Sequence, residues 1–226
     1  MTELDVIIIG AGASGLMCAL EASKRVRSVM VIDHVGSPAK KIRVSGGGKC
    51  NFTNIALRSD NYQSLNPHFC KSAIARFGPQ DFMKMLDAHG IGYYEKEHGQ
   101  MFCSEGSAAI ANMLIKECAV AGVKMRLNCR VEDIRKNDLF VVYTDLGFFE
   151  SEALVVATGG LSYPKLGASG FGHRIAENFG LNIAPLKPAL VPLTLQPYYL
   201  KELGGLSGVS LNVEAGCKNA RFRGEM

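Results

Sequence analysis

The stretch LDVIIIGAGASG, residues 4–15, restricts the fold more than any other part of the chain. Leu4 to Ile9 is β-branched and apolar through Val6-Ile7-Ile8-Ile9, as in a strand buried on both faces. Gly10 ends that run. Ala13 to Arg25 then carries Leu16, Ala19, Leu20 and Ser23 at helical spacing, and Ser28 to Asp33 reads as a second short apolar strand. Strand, glycine turn, helix and strand together span about thirty residues, the size of a βαβ unit with a right-handed crossover. Gly10-Ala11-Gly12-Ala13-Ser14-Gly15 fits GxGxxG in this setting, and Asp33 closes the second strand. Gly10 permits the tight turn, Gly12 lets backbone approach a pyrophosphate, and Gly15 lets the helix pack close. The helix N-terminus offers free N–H groups to phosphates. Asp33 can accept hydrogen bonds from the adenosine ribose hydroxyls, and its charge disfavours a 2′-phosphate. The motif alone does not choose between FAD and NAD.

Composition bounds the rest. With 226 residues, 47% hydrophobic and 20% charged, the chain has room for one large domain and part of another. A formal charge of +4 with no basic block does not predict a nucleic-acid partner. Seven scattered cysteines without a CxxC suggest reduced thiols in a cytoplasmic protein, and neither a disulfide framework nor a metal site. Val6 to Ile9 is too short for a membrane span, and no charged region precedes it as in a signal peptide.

Further along, residues 36–66 read as a long irregular stretch rich in Gly, Ser and Asn. Pro79 to His89 reads as a helix and 92–103 as a hairpin. Ser107 to Ala121 is a second long helix, closed by Gly122. Four short strands are expected at 123–127, 130–135, 139–144 and 148–150, and a separate buried strand at 153–158. Phe171 to Phe179 is a helix ended by Gly180. Prolines 185, 188, 192 and 197 then punctuate β-like segments, so the expected division is 1–184 and 185–226.

Three features favour FAD. The chain abandons β/α alternation after Asp33 and crosses over through short antiparallel strands, as in two-dinucleotide-binding-domain flavoproteins. Ala157-Thr158-Gly159-Gly160 closes a buried strand where the sheet can approach a dinucleotide. KIRVSGGGKCNFTN, residues 41–54, places Gly46-Gly47-Gly48 where bare backbone can lie against a ring or phosphate. Asn51, Thr53 and Asn54 offer donors and acceptors suited to an isoalloxazine edge. Lys40, Lys41 and Arg43 can neutralise a pyrophosphate or an anionic reduced flavin.

KIRVSGGGKCNFTN and VVATGGLSYPKLGASGFGHRIAENFG together resemble the two signature stretches of a bacterial flavoprotein family. This is the YhiN/BaiN-like group of FAD-dependent oxidoreductases, with NAD(P)H as a candidate donor and with an aminoacetone oxidase and a 3-dehydro-bile-acid reductase among its members. The resemblance implies an α/β Rossmann-like FAD-binding domain with a β-rich insertion domain that is begun and then truncated. It places FAD on Gly10, Gly12, Ala13, Ser14, Gly15, Asp33 and the adjoining His34. It extends the site to Lys41, Arg43, Ser45, Gly46, Gly47, Gly48, Cys50, Asn51, Thr53 and Asn54. Val131 contributes backbone near the adenine, and Ala157, Thr158, Gly159, Gly160, Ser162 and Tyr163 complete the set. Members of the family are longer, so the resemblance also implies a fragment without its C-terminal return to the FAD domain and with weakened FAD retention. A strand-like segment at 208–214 is then expected to lack a partner.

The chemistry that follows is hydride transfer through flavin N5 on an unknown small molecule, with NAD(P)H docking in the substrate cleft if it is the donor. No catalytic residue is assigned. Tyr163 is a candidate acid, and Cys50, without a neighbour in sequence, reads as a packing residue. The alternatives are a non-catalytic FAD- or nucleotide-binding module and a fumarate-reductase-like flavoprotein.

Overall fold

The computed structural model describes residues 4–26, 28–62, 64–188, 194, 196–206, 209, 211–217 and 220–225. The chain divides into two compact units, Met1–Ile183 and Ala184–Met226.

In the first unit, β1 (Leu4–Ile9) leads through the glycine turn into α1 (Ala13–Ser23) and β2 (Val29–Ile32). A short helix, α2 (Lys40–Val44), ends in a 3₁₀ turn at Ser45–Gly48, followed by β3 (Asn51–Asn54). Next come α3 (Lys71–Arg76), α4 (Pro79–Ala88), β4 (Tyr93–Glu95), β5 (Gln100–Cys103) and α5 (Ser107–Val120). The strands β6 (Lys124–Arg126), β7 (Val131–Lys136), β8 (Phe140–Thr144) and β9 (Gly147–Val156) precede α6 (Phe171–Asn178).

The main sheet runs β6-β2-β1-β9-β8-β7. β6, β2, β1 and β9 pair in parallel, whereas β9, β8 and β7 form an antiparallel meander. β9 does both. Its first half faces β8, with Thr144 opposite Gly147, and its second half faces β1, with Ile9 opposite Val156. The sequence reading splits this segment into two strands at Ser151 and Glu152, where polar residues suggest a break. Ser151 is instead fully buried, and its hydroxyl donates to the Ala153 carbonyl at 2.8 Å, so the strand passes through.

β1 and β2 are apolar on both sides because each face meets its own core. Ile8, Val31, Leu16 and Leu114 share the core with α1 and α5, and Ile7, Ile9, Ile32 and Ile175 share the other with α6 and the meander. Burying one such side chain stabilises the fold by about 1.5–3 kcal/mol. The stretch read as an irregular loop at 36–66 is partly ordered: β3 pairs antiparallel with β5, and β5 with β4.

In the second unit, α7 (Pro197–Leu203) begins with proline at its first turn. β10 (Asn212–Cys217) then pairs antiparallel with β11 (Ala220–Glu225), Asn212 opposite Glu225. This corrects the expectation of a partnerless strand: β10 pairs with β11, which lies six to eleven residues past the expected segment's end. The expected start at 208 lies outside the described residues, as does Pro192. No helix among the described residues is long and apolar enough to cross a membrane.

Candidate functional site

The ends of β1, β2 and β9 meet where the chain order reverses across the sheet, β2 leaving β1 on one side and β9 joining it on the other. Open α/β sheets bind ligands at such a switch point. Gly10 has φ +110, and its N–H donates to the Ile32 carbonyl at 2.8 Å. A Cβ at Gly10 would overlap the Ala157 carbonyl, and one at Gly15 would overlap the Gly10 carbonyl. Protein therefore fills the space at both. At Gly12 a Cβ would meet nothing within 4 Å. That bare, extended N-cap leads into the exposed Ala13 and Ser14, whose first-turn N–H groups have no acceptor within the helix. The room and the donors fit a pyrophosphate.

Asp33 braces the same turn. Its Oδ2 accepts from the Ala11 N–H at 2.7 Å, and its Oδ1 accepts from the Val35 N–H at 3.1 Å and lies 3.3 Å from His34 Nδ1. Oδ2 keeps a further acceptor position for a ribose hydroxyl. The β6–β7 link runs alongside, with the Cys129 N–H donating to the Asp33 carbonyl at 3.0 Å. Val131 joins Asp33, His34 and Thr158 in lining one cleft of about 340 Å³. The cleft includes Arg130, Phe171 and Arg174, none of which the sequence reading selected. Phe171 and Arg174 stand three apart on α6, with the guanidinium 5.8 Å from the ring, so their helical spacing was an available signal. Arg130 carried none.

The glycine-rich loop is tied to this turn through α2. The Ala39 N–H donates to the Ala11 carbonyl at 2.8 Å, so α2 starts against the turn. At 1.5 Å per residue, the loop that follows lies roughly 8 Å along. Gly46, Gly47 and Gly48 all have positive φ, and a Cβ at Gly47 or Gly48 would meet nothing within 4 Å. The Ser45 hydroxyl donates to the Ile42 carbonyl at 2.7 Å, and the Cys50 N–H donates to the Ser45 carbonyl at 3.0 Å. Cys50 is 5% exposed, with φ +53. Burial pushes its thiol up, more than the Ser45 hydrogen bond lowers it. A protonated, buried thiol suits packing. Asn51 and Thr53 sit on β3. Asn54 is committed to structure: its amide donates to the His98 carbonyl at 2.9 Å and accepts from the Ala56 N–H at 2.8 Å. Each side of that amide makes one local bond, which fixes its orientation.

The third segment follows β9. The Ala157 N–H donates to the Ile9 carbonyl at 2.8 Å, which seats Ala157, Thr158, Gly159 and Gly160 beside the turn. Lys41 reaches over from α2, its Nζ 3.5 Å from the Ser162 hydroxyl. Tyr163 is 66% exposed and held at φ +61, a left-handed conformation uncommon for an aromatic residue. The structure thus gathers Gly10, Asp33, His34, Val131 and Thr158 around one cleft, and brings Lys41 together with Ser162 beside Gly159. The Gly46–Cys50 loop extends from it through α2.

Known proteins share this chain's sequence pattern and fold. Ribosomal RNA dihydrouridine synthases from Escherichia coli and Haemophilus influenzae are each 46% identical to it over 212 residues, covering 93% and 92% of this chain and 53% of each relative. A 3-dehydro-bile acid delta(4,6)-reductase from Clostridium scindens is 28% identical over 204 residues, covering 88% of this chain and 49% of that protein. The chain thus spans about half the length of these relatives. Among solved structures, glycine oxidase from Geobacillus kaustophilus superposes with a TM-score of 0.56 at 18% identity, over 80% of this chain and 60% of that one. The open form of a flavocytochrome c3 fumarate reductase gives 0.54 at 19%, over 78% and 40%. These likenesses show the Rossmann-like α/β fold of FAD-binding proteins. The sequence profile of the HI0933-like protein Rossmann domain matches residues 4–218, and the chain belongs to that family.

Proposed function

We propose that this chain is the FAD-binding part of a flavin-dependent reductase that saturates a conjugated carbon–carbon double bond, and that its substrate is uridine in ribosomal RNA. The observation that carries the reading is the 46% identity to two proteins named ribosomal RNA dihydrouridine synthase, across nearly all of this chain. The more distant relative named for a delta(4,6) reduction of a 3-dehydro-bile acid fits the same chemistry. In uracil the C5–C6 double bond is conjugated with the C4 carbonyl; in that bile acid the 4,6-diene is conjugated with the 3-keto group. Reduction adds two electrons and two protons to such a bond.

When bound, a reduced flavin supplies the electron pair as hydride from N5. The chain's own residues would bind and orient it. Gly12 and the first-turn N–H groups of α1 would hold the pyrophosphate, Asp33 the ribose, and Val131 the adenine. Gly47 and Gly48 leave room for the ring. Lys41, beside Ser162, is a cation that could meet a polyanionic substrate, and the exposed Tyr163 hydroxyl is the candidate source of the second proton. NAD(P)H is the candidate reductant of the flavin. This reading departs from the expectation, drawn from a charge of only +4, that nucleic acid is not a partner.

The test is complementation. The gene carrying this sequence is expressed in a bacterium lacking its ribosomal RNA dihydrouridine synthase, and dihydrouridine in digested ribosomal RNA is measured by mass spectrometry. Restored dihydrouridine supports the reading. A yellow, flavin-loaded product with no dihydrouridine sinks the RNA substrate and leaves the flavoprotein.

A further inference from the structure

The three-stranded sheet β3-β5-β4 has two unlike faces. On one, Met101 and Cys103 are buried, and the Phe52 ring packs against Tyr93 at 5.9 Å and against Phe82 of α4 at 5.6 Å between centroids. The other carries Asn51, Phe102 and Tyr94 in one cross-strand row. Phe102 stands directly opposite Asn51 on β3 and opposite Tyr94 on β4, and residues so paired share a face. The Tyr94 and Phe102 rings are stacked, with centroids 6.0 Å apart and planes 23° from parallel. Tyr94 lies on the outer strand and is 39% exposed.

This row begins at the glycine loop. A Cβ at Gly46 would stand 3.0 Å from the Phe102 ring and 2.7 Å from the Asn51 nitrogen. Phe102 is therefore fixed between the loop and Tyr94. The loop continues into Lys49, whose carbonyl accepts from the Cys103 N–H at 3.0 Å, so Lys49 is held beside the strand that carries Phe102. Lys49 is exposed, and among the described residues its ammonium has no carboxylate partner. A cross-strand aromatic pair stabilises a sheet through the area its two rings cover against each other. That accounts for the side of Tyr94 that meets Phe102 and leaves the remainder open to water. An open aromatic surface near an unpaired cation suits single-stranded nucleic acid, whose bases stack on rings while its phosphates meet the charge.

We propose that Tyr94, backed by Phe102, stacks on a base of the single-stranded RNA that carries the target uridine, and that Lys49 meets a phosphate of the same strand. The inference rests on the ribosomal RNA reading above. It commits to a base beside the target, because Phe102 stands between Tyr94 and the glycine loop, where on that reading the reacting base meets the flavin.

The probe is a short single-stranded RNA with 2-aminopurine on either side of one uridine. The fluorescence of 2-aminopurine falls when it stacks, and protein is titrated into the RNA at several salt concentrations. FAD affinity by flavin fluorescence, ADP affinity by calorimetry and the melting temperature are the controls. Tyr94→Ala is expected to weaken RNA binding about five- to hundredfold, the range of one lost base–aromatic stack, and to remove the quenching without changing the salt dependence. Tyr94→Phe keeps the ring and should bind within about twofold of the wild type. Tyr94→Leu keeps apolar bulk on the strand and should bind like the alanine variant. All three should leave FAD and ADP within about twofold. Lys49→Ala should lower the salt slope of RNA binding by about one.

RNA binding unaltered in Tyr94→Ala would overturn the stack, and with a lower melting temperature it would leave Tyr94 as a sheet-pairing residue. Wild-type affinity in Tyr94→Leu would overturn it too. So would a loss of FAD equal to the loss of RNA, which would put the ring pair in the flavin site. An unchanged salt slope in Lys49→Ala would overturn the phosphate contact. A wild-type protein that binds no RNA removes the ribosomal RNA reading and the stack together, whereas equal RNA binding by every variant removes the stack alone.

Discussion

Two glycine clusters flank α2, and they are glycine for different reasons. At the α1 turn, Gly10 and Gly15 are required by the protein: their missing Cβ positions are taken by the Ala157 and Gly10 carbonyls. At the second cluster, Gly47 and Gly48 have positive φ but open space around them. The first cluster is part of the packing of sheet and helix. At Gly47 and Gly48 the second is a conformation kept bare, whereas a Cβ at their neighbour Gly46 would stand 2.7 Å from the Asn51 nitrogen. Gly12 belongs by position to the first cluster and by environment to the second. A glycine motif thus mixes residues whose missing side chain the packing requires with residues beside open room, and only the surroundings separate them.

The sharpest challenge to that distinction is Gly15→Ala. Its Cβ collides with backbone that cannot give way, so the variant is expected to lose more than about 4 kcal/mol or to be recovered only as aggregate, as read by thermal denaturation. A well-folded Gly15→Ala protein would end the comparison. Gly12→Ala should do the opposite. Its backbone is extended and its surroundings are empty, so the melting temperature should hold within about 2 °C while ADP affinity falls by tenfold or more. Gly47→Ala lies between. An alanine at φ +63 costs about 1 kcal/mol, read as a drop of about 2–4 °C, with FAD weakened and ADP unaffected.

Cysteine chemistry probes how firmly the second cluster is anchored. With iodoacetamide at pH 8, Cys217, exposed on β10, should react readily and Cys50 should not, because burial keeps its thiol protonated above the ordinary range. Mass spectrometry of the digested protein reads both. Rapid labelling of Cys50 would mean that the loop opens often. The mildest test touches neither cluster. Asp81 accepts from the Gly78 N–H at 2.9 Å at the start of α4, and that bond, ahead of Lys84, holds its carboxyl below the usual range. A depressed carboxyl stabilises the fold above its unfolded value, and the contribution is lost as pH falls through the folded one. Asp81→Asn should therefore lower the melting temperature slightly at pH 7 and not in strong acid, with both nucleotides bound as before.

Much of the first unit was legible because its strands obey one simple rule. Val6 to Ile9 and Val29 to Ile32 are apolar on both faces, which only a central strand of a layered sheet requires. Gly90, Gly122 and Gly180 likewise end their helices with positive φ, as a C-terminal glycine does. What escaped were features set by distant partners. Asn51 to Asn54 carries no strand signal of its own and pairs because β5 lies beside it. Ser151 looks like a break and is buried inside a continuous strand. Of the site, the glycines and Asp33 were readable from local spacing. Ser107 and Asn112 were not, since nothing near them in sequence announces that Arg43 lies across from them.

The double allegiance of β9 also bears on the order of events during folding. Its second half joins β1 across almost the whole length of the first unit, Leu4 with Ser151, and long loops of this kind close late. The antiparallel half can form first, as a local hairpin with β8. Yet it is the late half that delivers Ala157 against Gly10 and Ile9 and so finishes the turn. On a ribosome, the N-terminal strand and helix emerge long before the residues that complete their ligand site. Nucleotide capture should therefore mark the end of folding for this unit, and a ligand present during synthesis would act on a nearly finished molecule.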